Sequence, residues 1–258
     1  MQLPSRSTLG IIGLALMLGA CASTGDADKA VELNPDDPYE SLNRDVYAFN
    51  EGVDTYISSP IITVYQWVFP NILQTGVSNF FSNLTEPRTV LNDSLQGKEK
   101  QAGDDFERFV INTIFGLGGL INVANYAGIE NHDEDFAQTL AVWGVPRGEY
   151  IVLPLLGPSS YRAIPGELVD AATNPVSYVI WPIQLVGLIN SRSNAEQALA
   201  FINEAAVDPY VFMRASYIQW RDYQINEGAT SAEDLMLLDL DDDDEELDLL
   251  DEELEGDL

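Results

Sequence analysis

The side chains able to do nucleophilic or metal chemistry are few. The chain has one histidine, His132, followed directly by Asp133, Glu134 and Asp135. Contiguous side chains cannot all converge on one ion, and no second histidine or free cysteine completes a transition-metal shell. As a general base His132 would need a nucleophile, for which Ser159 and Ser160 are available. Their setting, Gly157-Pro158-Ser159-Ser160-Tyr161, is not a G-x-S-x-G elbow, and the surrounding helical pattern lacks the strand–turn–helix such an elbow requires. The simpler reading of the acids after His132 is a helix start, where negative charge complements the macrodipole. Gly116 to Gly119 lacks the lysine and the preceding strand of a phosphate loop and reads as a kink. No catalytic residue, metal or cofactor is expected.

The remaining reactive residue is the only cysteine, Cys21. It comes after Leu18-Gly19-Ala20 at the end of a segment with a positive Arg6 and an uncharged run from Leu9 to Leu18, which is the form of an export signal. That run is shorter than the roughly 20 residues a spanning helix needs. A cysteine after Leu-Gly-Ala resembles the bacterial lipobox, in which the thiol is acylated and becomes the first mature residue. Several acyl chains, at about 0.8 kcal/mol per buried methylene, anchor a protein stably. Ala22 is not the aspartate that retains such lipoproteins at the inner membrane, so an outer-membrane protein facing the periplasm is expected. The alternative is a buried structural cysteine after a signal-like start.

The elements beyond the anchor are organised by charge. Of 42 acidic residues, 15 fall between Glu233 and Asp257 with no basic residue among them. Without that tail and Arg6, 27 acids face 11 bases. This excludes the basic footprint of a nucleic-acid binder and an electrostatic hold on anionic lipid. Three windows carry no charge: Thr55 to Thr85 (31 residues), and Phe109 to Ile129 and Ala171 to Ser191 (21 residues each). A water-facing helix shows polar residues every turn or two. Proline and recurrent Asn, Gln, Ser and Thr argue against spanning segments, leaving partial burial in a membrane or fully buried core helices. The expected parts are a signal peptide (1–20), a polar tether (21–36), one domain (37–228) and an acidic tail (229–258). The tail is either solvated and disordered or a leucine-anchored helix for a basic partner.

Within the domain the period is helical. Asp37-Pro38 and Asp208-Pro209 are start signals, with Asp as N-cap and Pro at N1. Leu42, Val46, Phe49, Val53 and Tyr56 step along one face. Pro60 and Pro70 break the next stretch into short helices, Pro87 starts another, and Gln101 to Phe115 is a helix. Ser193-Asn194-Ala195-Glu196 reads as a capping box opening a helix. Only Tyr150 to Leu155 looks extended, so the fold class is all-α.

Leu42-Asn43-Arg44, Phe49-Asn50, Val77 to Leu84, Glu86-Pro87, Leu95-Gln96-Gly97, Arg108-Phe109 with Asn112-Thr113, Gly116 to Gly119, His132 to Phe136, Gln138-Thr139-Leu140, Trp143-Gly144, Leu153-Pro154 to Arg162 and Asp208-Pro209-Tyr210 occur in one order. With the lipobox, this set resembles the VacJ, or MlaA, outer-membrane lipoproteins of the lipid-asymmetry system over about residues 38–228. The resemblance implies a single ring-like domain of short, Pro-broken amphipathic helices sunk in the inner leaflet of the outer membrane. It also implies association with a porin trimer, and a polar channel that passes mislocalised outer-leaflet phospholipid to a soluble periplasmic carrier. Candidate polar lining is Asn43, Ser78, Asn79 and Asn83, with capping or buried hydrogen bonding as the alternative. Gly144, Gly148 and Gly157 are candidate hinge and loop residues beside the channel, or ordinary turn glycines. Where relatives often carry Asp after the Arg162 position this chain has Ala163, and Pro146 stiffens the hinge region. Two other readings stay in play: a porin-associated structural lipoprotein without transport, and a lipid hydrolase using Ser159 or Ser160 with His132.

Overall fold

The computed structural model describes residues 37–228. The signal segment, the tether with Cys21 and the acidic tail lie outside the described residues. The elements run α1 (Glu40–Val53), a π-turn (Asp54–Ser58), α2 (Ser59–Val68), α3 (Asn71–Gln96), α4 (Glu99–Phe115), α5 (Val123–Tyr126), α6 (Phe136–Val142), β1 (Tyr150–Leu153), β2 (Gly157–Ser160), α7 (Ala163–Thr173), a 3-10 turn (Pro175–Tyr178), α8 (Trp181–Ala205) and α9 (Pro209–Ile225). The architecture is helical, with one antiparallel hairpin that pairs Tyr150 with Ser160 and Leu153 with Gly157. The extended segment expected at Tyr150 to Leu155 is therefore the first strand of a hairpin.

Several local expectations change. Pro60 does not end the first helix. Proline lacks the N–H and clashes with the carbonyl four residues back, and the chain accommodates it with a π-turn just upstream, a common way to carry a helix past such a defect. Pro87 lies inside the 26-residue α3 rather than starting a helix. The capping box at Ser193 is internal to α8, where Gln66 Nε2 donates to Ser193 Oγ (2.9 Å) and Glu196 Oε2 (2.7 Å). Asp37 is not an N-cap, since α1 begins after Tyr39. Asp208 is one: its carboxylate accepts from the Tyr210 and Val211 amides. Asp135 likewise caps α6 through the Gln138 amide.

Packing inverts the usual polarity. Nine apolar residues are buried among the described residues, against twenty polar or charged ones. The interface of α3 and α4 shows why Pro87 is tolerated. Asn83, Glu86, Thr89, Asn92 and Asp93 recur at helical spacing on the buried face of α3, opposite Ala102, Asp105, Arg108 and Asn112 of α4. Arg108 Nε donates to Glu86 Oε1 (3.4 Å) and Asn83 Nδ2 to Thr113 Oγ1 (2.9 Å). Such contacts fix the helices against each other despite one lost backbone bond, because buried polar groups are costly unless paired.

The complement of this polar interior is a set of exposed large apolar side chains. Tyr56, Trp67 and Ile72 are each more than 80 % exposed. Phe115, Leu117, Tyr126, Tyr178 and Trp181 are exposed as well. All eight come from the three charge-free windows, which are thus not buried core helices. The α1 stripe divides: Leu42, Phe49 and, just beyond, Tyr56 are exposed, Val46 packs against the Tyr150, Val152 and Tyr210 cluster, Val53 lines the apolar cavity, and Asn43 is buried. No described helix is long and apolar enough to cross a membrane.

Candidate functional site

Helix α8 contributes a wall to each of two cavities, one richer in hydroxyls and amides and the other mainly aliphatic. The polar cavity, about 460 Å³, lies between α3, the 3-10 turn and α8. Helical spacing brings Ser78, Ser82 and Thr85 of α3 to one side and Gln184, Asn190, Ser191 and Asn194 of α8 to the other, and no charged residue lines it. Its polar groups are pre-arranged. Ser78 Oγ accepts from Asn190 Nδ2 (2.7 Å) and Asn194 Nδ2 (3.0 Å). Tyr65 Oη donates to Asn190 Oδ1 at 2.7 Å. The Gln184 amide donates to the Val176, Ser177 and Val179 carbonyls, tying the 3-10 turn to the start of α8.

A smaller cavity, about 310 Å³, shares Ser82 and Thr85 with the first and adds Glu86, Arg88, His132 and Asp133. The polar surface thus continues from neutral donors to charged ones. Arg88 Nη2 donates to Asp133 Oδ1 (2.8 Å). Burial, reinforced by Asp105, pushes the Glu86 carboxyl up to about 7, although Arg108 opposes this.

The apolar cavity, about 540 Å³, is bounded by α1, the π-turn, α2, the hairpin and α8, with Ile57, Ile61, Ile62, Val152, Leu185 and Leu188 in its wall. The two spaces share Leu188. The first sets hydroxyls and amides beside Phe81 and Val176, and the second is mainly aliphatic with Glu51, Asp54 and Arg192 in its wall. Each thus offers both polar and apolar contacts to an amphiphile.

The hairpin is held against α1 by two asparagines seven residues apart. Asn43 Nδ2 donates to Asp37 Oδ1 (2.8 Å) and the Tyr150 carbonyl (3.2 Å), and Asn43 Oδ1 accepts from the Val152 amide (2.9 Å). Asn50 Nδ2 donates to the Leu153 carbonyl (3.0 Å) and its Oδ1 accepts from the Leu155 amide (2.7 Å). Asp37 also accepts from Tyr210 Oη and from Arg214 Nη1 (2.9 Å). Leu155 sits at φ 67°, an unusual conformation for a residue with a branched side chain, and with Leu156 it forms an exposed apolar tip.

The residues expected from sequence separate on this framework. Ser78 lines the polar cavity. Asn79 donates to the Leu120 carbonyl at 3.2 Å, and Asn83 is buried against Thr113. Asn43 is wholly buried in the hairpin clasp. Gly144, Gly148 and Gly157 all have positive φ, of 88°, 69° and 86°; Gly144 and Gly148 lie before the hairpin and Gly157 opens its second strand. Sequence reasoning misses Asn190, Asn194 and Gln184. Only part of a signal is present in the chain: Gln184 and Asn190 fall in a charge-free window, while Asn194 lies beyond Arg192.

The hydrolase arrangement is not assembled. His132 Nδ1 is 2.9 Å from Asp105 Oδ2, whereas Ser159 Oγ donates to Glu167 Oε1 (3.1 Å) and Ser160 Oγ accepts from the Ala163 amide (3.3 Å). Among the described residues no group of three or more His, Cys, Asp or Glu could hold a metal.

Comparison with known proteins gives one answer. The MlaA lipoprotein family model matches residues 35–224. The intermembrane phospholipid transport system lipoprotein MlaA of Escherichia coli (strain K12) is 33% identical over 225 residues, covering 84% of this chain and 87% of that protein. The protein of the same description from Haemophilus influenzae is 32% identical over 237 residues, covering 87% and 92%. A solved structure reported under "Structural basis for maintenance of bacterial outer membrane lipid asymmetry" matches with a TM-score of 0.65 and 31% identity, over 74% of this chain and 99% of that one.

Proposed function

This chain belongs to the MlaA lipoprotein family, and from that premise we propose that it removes phospholipid mislocalised to the outer leaflet of the outer membrane and hands it to a soluble periplasmic carrier. The observation that carries this reading is the inversion of polarity: a mainly polar buried set with large apolar side chains exposed along the charge-free windows, and two cavities that differ in polar lining. Large apolar side chains exposed along three charge-free windows suit a surface that meets lipid or another protein. Acylated Cys21 would anchor the chain, and the exposed residues of the charge-free windows would sit in the inner leaflet or against a porin trimer. Helices satisfy their own backbone at that depth.

In this mechanism the headgroup passes along the hydroxyls and amides from Ser78 to Asn194, while a tail stays in the apolar cavity across Leu188. Neutral donors replace part of the headgroup's hydration, so the polar half crosses without meeting hydrocarbon. The hairpin would move on the Gly144 and Gly148 turn, its position set by the Asn43 and Asn50 clasps. No energy source is required of the chain itself, and net flow runs with the lipid gradient and the carrier. The non-enzymatic reading is supported by relatives described as transport lipoproteins and by the separation of His132 from Ser159.

The test is outer-leaflet phospholipid in cells lacking the gene, with wild-type and Cys21→Ser complementation. Deletion raises it, the wild type restores it and Cys21→Ser restores it poorly. An unchanged leaflet on deletion would favour a structural, porin-bracing role instead.

A further inference from the structure

Three polar groups in the wall of the apolar cavity have no partner. The Tyr47 and Tyr150 hydroxyls and Arg192 Nη1 are buried and unbonded, and all three residues line that one cavity. Tyr150 is 1% exposed. Buried donors in native structures are almost always satisfied, so three orphans around one space of ligand size point to acceptors that a ligand brings. Burial, with nearby acidic groups adding to it, holds both tyrosines well above their usual range, Tyr47 up to about 12, so both keep their protons to donate.

Arg192 is held in a set orientation. Its Nε donates to Asp54 Oδ1 at 2.8 Å and its Nη2 to Asp54 Oδ2. Asp54 occupies the π-turn, seven residues and two helical turns beyond Tyr47, on the same side of that helical run. One edge of the planar guanidinium is engaged, and Nη1 is left for a second oxyanion, an arrangement suited to phosphate.

We propose that the apolar cavity holds one acyl chain of a phospholipid whose phosphate is bound by Arg192 Nη1, with the Tyr47 and Tyr150 hydroxyls donating to its ester oxygens. Asp54 engages one edge of the guanidinium, a contact an Asn oxygen can partly keep, and as a like charge to the phosphate it limits affinity so that the lipid can leave. The inference rests on the phospholipid reading above and adds a second station, distinct from the Ser78–Asn194 path, where the headgroup rests on Arg192 while the acyl chain keeps the apolar cavity.

The full lipidated chain, purified in detergent and stripped of lipid, is titrated by native mass spectrometry with dioleoyl phosphatidylglycerol and with dioleoylglycerol, which has the same esterified tails and no phosphate. The phospholipid binds at least about tenfold tighter, a difference of about 1.4 kcal/mol. Arg192→Gln weakens phospholipid binding about tenfold and leaves dioleoylglycerol unchanged, and Arg192→Lys recovers part of the loss. Asp54→Asn strengthens phospholipid binding, whereas a purely structural ion pair would make it as harmful as Arg192→Gln. The Tyr47→Phe/Tyr150→Phe pair weakens both lipids two- to fivefold. Equal affinity for the two lipids in the wild type, or parallel loss in Asp54→Asn and Arg192→Gln, overturns the proposal. The two readings fail separately. If the site behaves as described and deletion leaves the outer leaflet unchanged, the transport function falls and the site stands. If deletion disturbs the leaflet and Arg192→Gln binds like wild type, the site falls and the function stands.

Discussion

Asn43→Ala tests whether a buried polar contact, rather than apolar packing, fixes the hairpin. The substitution removes the NH2 group that donates to Asp37 and to the Tyr150 carbonyl, and the acceptor for the Val152 amide. Tyr150 and Val152 are 1% and 4% exposed, so water does not readily replace the lost partners. A buried group left unsatisfied costs about 1–3 kcal/mol. Asp37 keeps Tyr210 and Arg214 and adds little, so the two backbone groups set the total at about 2–6 kcal/mol. That is a large share of the 5–15 kcal/mol of a typical domain. Asn50→Ala, whose contacts lie near the exposed tip, costs only about 0.5–1.5 kcal/mol. Urea unfolding of the full chain in detergent, monitored through its four tryptophans, measures both losses. Hydrogen exchange at the Val152 amide localises the first, with protection falling in Asn43→Ala ahead of global unfolding. An Asn43→Ala variant within about 1 kcal/mol of wild type, with Val152 still protected, would refute the clasp.

Burial raises the folded-state pKa of Glu86 to about 7 and of Asp93 to about 8. The folded state therefore holds protons that the unfolded chain has released by pH 5, and stability falls as pH rises from about 5 to about 8. Melting temperature measured at pH 5.5, 7.0 and 8.5 should decline, and Asp93→Asn should flatten the decline; a rise over that range would contradict it. Asp135 and Asp208 act oppositely, held low against burial by Arg221 and, for Asp208, chiefly by its Arg44 bond; their stabilisation is lost only as pH falls through the acidic range below about 4. Gly119→Ala should cost about 2–3 kcal/mol, because Gly119 has φ +95° and a Cβ there would lie 2.6 Å from Asn83 Cβ. Gly128→Ala, at positive φ in open space, should cost nearer 1 kcal/mol by the same unfolding assay. Leu155→Ser with Leu156→Ser should leave unfolding nearly unchanged and weaken liposome flotation more than tenfold, since each leucine contributes about 1.5–3 kcal/mol when fully buried in lipid.

The sequence is most legible where the signal is categorical. Three windows without charge mark the surface that ends up exposed and apolar, and Asp208-Pro209 marks a helix start that the structure keeps. Periodicity alone misdirects at α1: Leu42 and Phe49 form the stripe that normally faces a core, yet they face outward and Asn43 is inside. A 3.6-residue stripe specifies a helix face and not the medium that face meets, so an inverted protein and an ordinary one share a pattern. Pro87 and the Ser193 capping box fail for a related reason. Local start signals are overridden by tertiary hydrogen bonds, along the α3–α4 interface and from Gln66, that a linear reading does not contain. The polar cavity is half visible through Ser78, while its other half, Asn190 and Asn194, reads in the sequence as the ordinary content of a helix. Arg192 and Asp54 are out of reach, because they are 138 residues apart in sequence and neither lies in a motif.

The most direct test of the central claim is photocrosslinking from inside the polar cavity in living cells. p-Benzoylphenylalanine at Ser82, which lines both polar cavities, is irradiated in cells whose outer leaflet has been loaded with phospholipid, with exposed Glu107 on α4 as the control position. Passage through the chain predicts phospholipid adducts at Ser82 that rise with loading and are absent at Glu107. Adducts at neither position, in a protein that still complements the deletion, would contradict a lipid path through this site.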